Sequence, residues 1–494
     1  MKKYLLLFLS AALLATSCNK DDDTISPEKG FVINSEELVV QDFMWKAMNF
    51  WYFWQENVAN LDDDKFPLTQ DGKKDYIDFL SIEEDPAVFF DSYLTFAEDR
   101  FSFYSEDYTE LTQALAGISK SNGLEFGLVP FPDSDNLVGY VRYIIPNSDA
   151  ATKDISRGEL FTGVNGNTLT RSNYIDLLFG DADTYTLNMA SIENNVIDGI
   201  EKEVTLTKTE GLVENPIFLS KTLEVNNEKI GYLVYNSFTN EYDEQLNAVF
   251  QDFKTDGITN LVVDLRYNLG GSVNTARLLS SMIYGTNTTD VFIKQRWNDK
   301  VQPELPEKDL IDYFADTTND GTPLNRLNLS KVYILTTFSS ASSSELVING
   351  LSPYLEVVQL GETTRGKNEF SITMVDDFDN GYIYNPERVN NINKNNSWAI
   401  QPLVGRNENA DGFFDYTAGL TPNIVQQEDL ANLGVLGEEN EPLLARAIQD
   451  ITGTTAKRDF SVSMPAEKST SSKMFSVLKD NMVLDKPIVI KNRP

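Results

Sequence analysis

The chain has no histidine and one cysteine among its 494 residues, and each shortage removes chemistry. Without imidazole there is no Ser-His-Asp triad, no Cys-His dyad, no HExxH zinc site and no histidine proton shuttle. A single cysteine excludes disulfides within the chain and thiolate metal clusters. Nothing that remains calls for a metal or an organic cofactor. Positive charge is also scarce, with 41 Lys and Arg against 75 Asp and Glu, a formal net charge of −34. A surface of this kind repels nucleic acid and bare anionic membrane, so neither is expected as a partner. What is present is ample apolar material, 41% hydrophobic and 11% aromatic residues. That is enough for sizeable cores, and the length suggests roughly three domains.

The lone cysteine, Cys18, has an informative position. Lys2 and Lys3 precede an apolar stretch from Tyr4 to Leu14, followed by Ala15-Thr16-Ser17-Cys18. A charged start, a short apolar core and small residues at the cut form the layout of a secretory signal peptide, and the run is too short to span a bilayer. The pattern resembles that of bacterial lipoproteins, whose cleaved chain begins with a lipidated cysteine. "NKDDD", Asn19 to Asp23, resembles the acidic tag that sends some Gram-negative lipoproteins to the outer face of the outer membrane. The resemblance implies removal of residues 1–17, lipidation of Cys18, a tether over 18–34 and a cell-envelope location. Contact with the membrane would then run through lipid alone. The plainer alternative is an ordinary signal peptide with an incidental cysteine.

Downstream the composition divides the chain. Residues 35–116 read as helical, with Trp45, Met48, Trp51 and Trp54 at three-residue steps, a pattern expected to be core or, less simply, a sugar-stacking platform. Residues 117–208 carry short β-like runs, and the Asn-Gly in "GVNGNTLT" marks a tight hairpin. From about Asn215 to 427 strands and helices alternate, which argues an α/β core with a parallel or mixed sheet. Between Thr286 and Leu329 no periodicity is evident, suggesting a long insertion able to cover a site. Residues 428–494 hold one short helix and then a polar stretch without a readable role.

Reactive groups in α/β folds concentrate at strand C-terminal ends, where loops meet helix N-termini. Two such ends stand out. "VVDLRYNLGGS" leaves a strand at Leu265 and exposes Gly270 and Gly271, whose lack of side chains lets N–H groups approach a ligand closely. "YILTTFSSASSSELVING" places five serines where a strand gives way to a helix, so a hydroxyl there could cap, hydrogen-bond or attack. After the next strand comes "ETTRGKNEF", with Lys367 in a glycine-flanked loop. In a protein without histidine, lysine is the natural general base, provided burial lowers its pKa from about 10.4.

In order, "DLRYNLGG", "SSASSSE" and "GETTRGK" resemble the motifs of the C-terminal processing peptidases, the tail-specific serine proteases of the S41 type. The resemblance implies an α/β protease core of the spiral ββα, ClpP/crotonase-like kind. A small helical domain and a PDZ-like β-rich domain would precede it. It implies Ser342 as nucleophile, Lys367 as base, and an oxyanion hole built from the N–H groups of Ser343 and of Gly270 or Gly271. The remaining serines are then structural. Some family members orient the lysine with a glutamine where this chain has Ser371, so Ser371, Asn368 or Glu369 is expected to supply that hydrogen bond.

"NGLEFGLV" resembles the peptide-binding loop and strand of PDZ domains, which implies that Leu124, Glu125, Phe126 and Gly127 receive polypeptide ends by strand addition. Ser156-Arg157 departs from the PDZ pattern. The expected activity is that of a lipid-anchored serine endopeptidase acting on polypeptides with apolar C-termini; the oligomeric state is not legible. The rivals are a non-catalytic surface lipoprotein that binds peptide or glycan on a retained protease fold, and an acyl-transfer or hydratase enzyme on the related fold.

Overall fold

A computed structural model describes residues 25–26, 30–33, 35–131, 134–285, 287–454, 459–466, 470–476, 478, 480–486 and 488. The signal-like segment, Cys18 and most of the tether lie outside them.

The central layer is a six-stranded sheet. Its order is Ile217–Val225, Glu228–Tyr235, Asn260–Asp264, Lys331–Thr336, Glu356–Gly361 and Ile424–Val425; the first pairing is antiparallel and the rest are parallel. Near-continuous apolar runs such as Leu261-Val262-Val263 are buried on both faces, as parallel strands covered by helices require. Helix Asp243–Asp256 ends at Gly257, whose φ of 68° supplies the left-handed cap. Helices Val273–Ile283 and Ser343–Leu351 pack against each other and follow the two motif-bearing strand ends.

The stretch between Thr286 and Leu329 is not a cover. Within it, Val291–Trp297 pairs antiparallel with Leu403–Glu408 and with Ile311–Tyr313, inside a second six-stranded sheet. Phe292, Ile293, Gln295 and Trp297 turn inward while Arg296 is exposed, so a half-buried alternation was present but diluted by polar flanks.

The N-terminal region is helical in part only. Helix Val39–Trp51 buries Phe43, Met44, Ala47, Met48 and Trp51, an amphipathic spacing. The backbone turns extended at Tyr52, leaving Trp54 outside the helix. A strand, Phe103–Ser105, pairs with Ala399–Gln401, and the Trp51 indole donates to the Gly381 carbonyl at 2.9 Å. One apolar cluster runs from Phe31 and Phe43 through Leu346 to Leu484, so this region shares its core with the α/β unit.

Residues 124–207 form an antiparallel sheet in the order Val196–Thr207, Thr184–Glu193, Leu160–Val164, Leu137–Ile144 and Leu124–Pro130. The predicted hairpin turns at Asn165 and Gly166, with φ of 52° and 78°. Arg157 docks this unit on the α/β core. Its guanidinium donates to Glu428 at 2.9 Å and to the Tyr267 hydroxyl at 2.7 Å. Its departure from the PDZ pattern therefore has a structural use.

Candidate active site

Parallel strands Asn260–Asp264 and Lys331–Thr336 are neighbours, so the turns that follow them meet, and the serine cluster stitches those turns together. Ser340 Oγ donates to the Leu265 carbonyl at 2.8 Å, Ser343 Oγ to Gly271 at 2.8 Å, and Ser344 Oγ to Asn268 at 3.0 Å. Ser339 Oγ accepts from Arg142 at 3.2 Å. Ser342 differs from the other four. Its hydroxyl is buried without a hydrogen-bond partner among the described residues. Its backbone sits at φ 64° and ψ −114°, just before helix Ser343–Leu351. A non-glycine residue in that region costs on the order of 1–3 kcal/mol, and such strain persists where the surroundings enforce it.

Those surroundings converge on Glu345, the glutamate that ends "SSASSSE". Its carboxylate accepts from the Ser342 N–H at 2.8 Å, the Lys367 N–H at 2.9 Å, the Gly366 N–H at 2.6 Å and the Thr364 hydroxyl at 2.5 Å. One side chain thus fixes the serine turn against the lysine loop. Burial pushes its carboxyl up to about 7, opposed by these four donors, which favour the charged form.

Lys367 is fully buried. Desolvation lowers its amine from 10.5 to about 8, against the opposing charges of Asp480, Glu369, Asp99 and Glu345. Its Nζ lies 5.2 Å from the centre of the Phe101 ring, and Arg100 donates to the Gly366 carbonyl at 2.5 Å. The N-terminal region therefore roofs the lysine loop, across a sequence separation that no motif signals.

None of the three residues expected to orient Lys367 is hydrogen-bonded to its amine, which donates to the Asp480 carbonyl instead. Ser371 Oγ donates to Asn481 Oδ1 at 2.9 Å, Asn368 donates to the Phe414 carbonyl, and Glu369 pairs with Arg406 at 3.3 Å.

Gly270 and Gly271 have φ of 114° and 132°, open to glycine and strained for other residues. A methyl group on Gly270 would lie 2.6 Å from Ser342 Cβ and 2.2 Å from the Asn481 carbonyl oxygen, so serine, glycine and carbonyl crowd one point. The two N–H groups differ in use. Gly270 donates to Asn268 Oδ1 at 2.8 Å, and Gly271 donates to the Asn481 carbonyl at 2.6 Å. Ser343, first residue of its helix, carries an N–H with no intrahelical acceptor.

Leu124, Glu125, Phe126 and Gly127 lie on strand Leu124–Pro130, whose free edge is taken by Thr470–Ser471. A groove of about 1630 Å³ joins Glu125 and Phe126 on this strand to Gly270 and Gly271. Among the described residues, no group of three or more acidic or sulfur side chains is placed to hold a metal ion.

A strained serine beside paired glycines and a buried lysine, at the C-terminal ends of a parallel sheet, defines a serine-hydrolase type of centre on an α/β fold. The description "Peptidase family S41" matches residues 229–402, and "Peptidase S41 N-terminal domain" matches 39–103. The chain therefore carries peptidase S41 family domains over these two stretches. The "Probable CtpA-like serine protease" of Staphylococcus aureus is 26% identical over 202 residues, which are 38% of this chain. That stretch spans 38% of the length of this curated relative. The crystal structure named "Putative S41 protease", from Bacteroides fragilis, aligns with a TM-score of 0.63 at 25% identity, covering 83% of this chain and 97% of that one.

Proposed function

We propose that the protein is a serine endopeptidase in which Ser342 attacks the scissile carbonyl and Lys367 acts as general base. The observation that carries this reading is the buried Ser342 hydroxyl, unpartnered among the described residues, held at a strained backbone beside Gly270 and tied through Glu345 to the loop of the buried Lys367. The Ser342 proton passes to Lys367 as Oγ bonds to carbon; the amine returns it to the leaving nitrogen, and water releases the acyl group. The Ser343 and Gly271 N–H groups hold the oxyanion, since Gly271 already donates to a carbonyl oxygen whereas Gly270 is engaged with Asn268.

Extended polypeptide is the substrate, with its end added in PDZ fashion to the edge at Leu124–Gly127. The continuity of the groove from that edge to the glycines supports this path. Cys18, after its apolar run, is the proposed lipid-anchor residue of an outer-membrane lipoprotein. A fluorophosphonate probe should label the wild type and not Ser342→Ala, and an unfolded polypeptide should be cleaved only by the former. Labelling or cleavage that survives the substitution would sink the assignment.

A further inference from the structure

The C-terminal stretch without a readable role forms one wall of this groove. Thr470 and Ser471 add antiparallel to Leu128 and Gly127. Ser472 Oγ donates to the Glu125 carboxylate at 2.6 Å and accepts from the Phe126 N–H at 3.0 Å. Phe475 stacks on Phe179 with ring centres 3.9 Å apart. Further on, Asp480 pairs with Arg365 at 3.0 Å, while Met482 and Val483 add as a parallel strand beside Gly271 and Ser272.

Two parts of the proposed machinery, the base and one oxyanion donor, are thereby engaged by the tail. The Lys367 amine donates to the Asp480 carbonyl, and the Gly271 N–H to the Asn481 carbonyl. Ser342 Oγ is left with no partner among the described residues. The groove reaches Gly270 and Gly271 without being lined by Ser342 or Lys367; both are fully buried, and the Asn481 carbonyl crowds Gly270 beside Ser342.

The geometry points to residues 470–476 and 480–485 as a cis-bound occupant of the strand edge and glycine end of the peptide path, an intramolecular competitor that must leave before a polypeptide substrate can reach Ser342. This rests on the peptidase reading above. An extended segment tethered to its own groove competes at a high effective concentration, so even weak contacts hold the resting state closed. Lys367 is held in the same state, because the Asp480 carboxylate beside it favours the protonated amine.

Phe475 is a partly exposed anchor, so Phe475→Ala in the full chain should loosen the tail without disturbing the core. Loss of one stacked ring pair predicts fluorophosphonate labelling about 2- to 10-fold faster than in the wild type. The apparent KM for an unfolded polypeptide should fall while kcat stays unchanged. Lys473→Ala, which removes the 3.3 Å contact with Glu214, should act in the same direction and serves if the first variant folds poorly. A synthetic peptide of residues 470–486 should slow labelling of either variant back toward the wild-type rate. Equal labelling and hydrolysis rates in the wild type and a folded variant overturn the inference and leave the peptidase reading standing. No labelling and no hydrolysis in any form, with Ser342 still present, overturns both.

Discussion

Two buried polar regions of this molecule are built on opposite principles. In the first, Arg266 is held by Asp264 at 2.7 Å, Glu441 at 2.6 Å and Glu428 at 3.2 Å, and Arg157 joins Glu428 from the β-rich unit at 2.9 Å. None of these side chains has a buried atom lacking a partner. In the second, Ser342 Oγ, Asn368 Oδ1, Asp480 Oδ1 and Asn481 Nδ2 are all buried and unpartnered among the described residues. Arg157 and its partners fasten two units together, whereas the surroundings of Ser342 leave bonding capacity unspent. Unmet hydrogen-bonding capacity destabilises a fold, so its concentration beside a strained serine marks the place where a ligand is to supply the missing partners.

That contrast is broken most severely at the proposed nucleophile. Ser342→Ala should reduce polypeptide hydrolysis by about 10³-fold or more, while leaving the melting temperature equal or higher because an unpartnered buried hydroxyl is removed. Activity and calorimetry on the same samples check both halves. Glu428→Gln is the mirror case and should cost about 3–5 kcal/mol by leaving two buried guanidiniums short of counter-charge.

The sign with pH follows from the same residue. Arg157 and Arg266 hold the Glu428 carboxyl down at about 2, below its ordinary 4.5. Its stabilising contribution is therefore complete above about 4.5 and is lost as pH falls toward 2. Chemical denaturation across that range should show a steeper loss in the wild type than in Glu428→Gln.

A moderate effect is expected from pH on activity. With the Lys367 amine near 8, kcat/KM should rise about tenfold per pH unit below that value and level off above it. A flat profile between pH 6 and 9 would remove Lys367 as the base. The same depressed amine destabilises the fold below about 8, and this penalty fades as pH rises toward its ordinary 10.5. Lys367→Met should therefore abolish activity and raise stability at pH 7 by about 1–3 kcal/mol. The smallest change is Ser340→Ala, which forfeits one stitch between the two turns and should cost about 0.5–1.5 kcal/mol by denaturant titration while retaining catalysis.

What was legible from residues alone was mostly local. Apolar runs such as Leu261-Val262-Val263 and the turn Asn165-Gly166 carry their structure in short windows. The three motifs were readable for a related reason: each is the loop after a parallel strand, and a parallel sheet brings successive loops to one edge. The choice of Ser342 among five serines came from family resemblance. The physical reason for the others, the reach of Ser340, Ser343 and Ser344 to carbonyls at 265, 271 and 268, needs the neighbouring strand in place. Strand Phe103–Ser105 is three residues long, and its partner is almost 300 residues away, so no window could reveal it. The shared core of the N-terminal region was hidden for the same reason. The tail was illegible because its polar residues acquire meaning only against the strand edges they join.

The strand at Met482–Val483 has a consequence for assembly. The tail's bonds join positions 213 and 110 residues apart, at Ser272 with Asp485 and at Ser371 with Asn481. Contacts of such separation carry a large loop-closure cost, and these can form only once the sheet edge they add to exists. Folding is therefore expected to include an interval in which the sheet edge beside the glycines is built and the last strand has yet to seat. How quickly the last strand seats, measured as a slow folding phase, sets how long nearby unfolded chains encounter an open site.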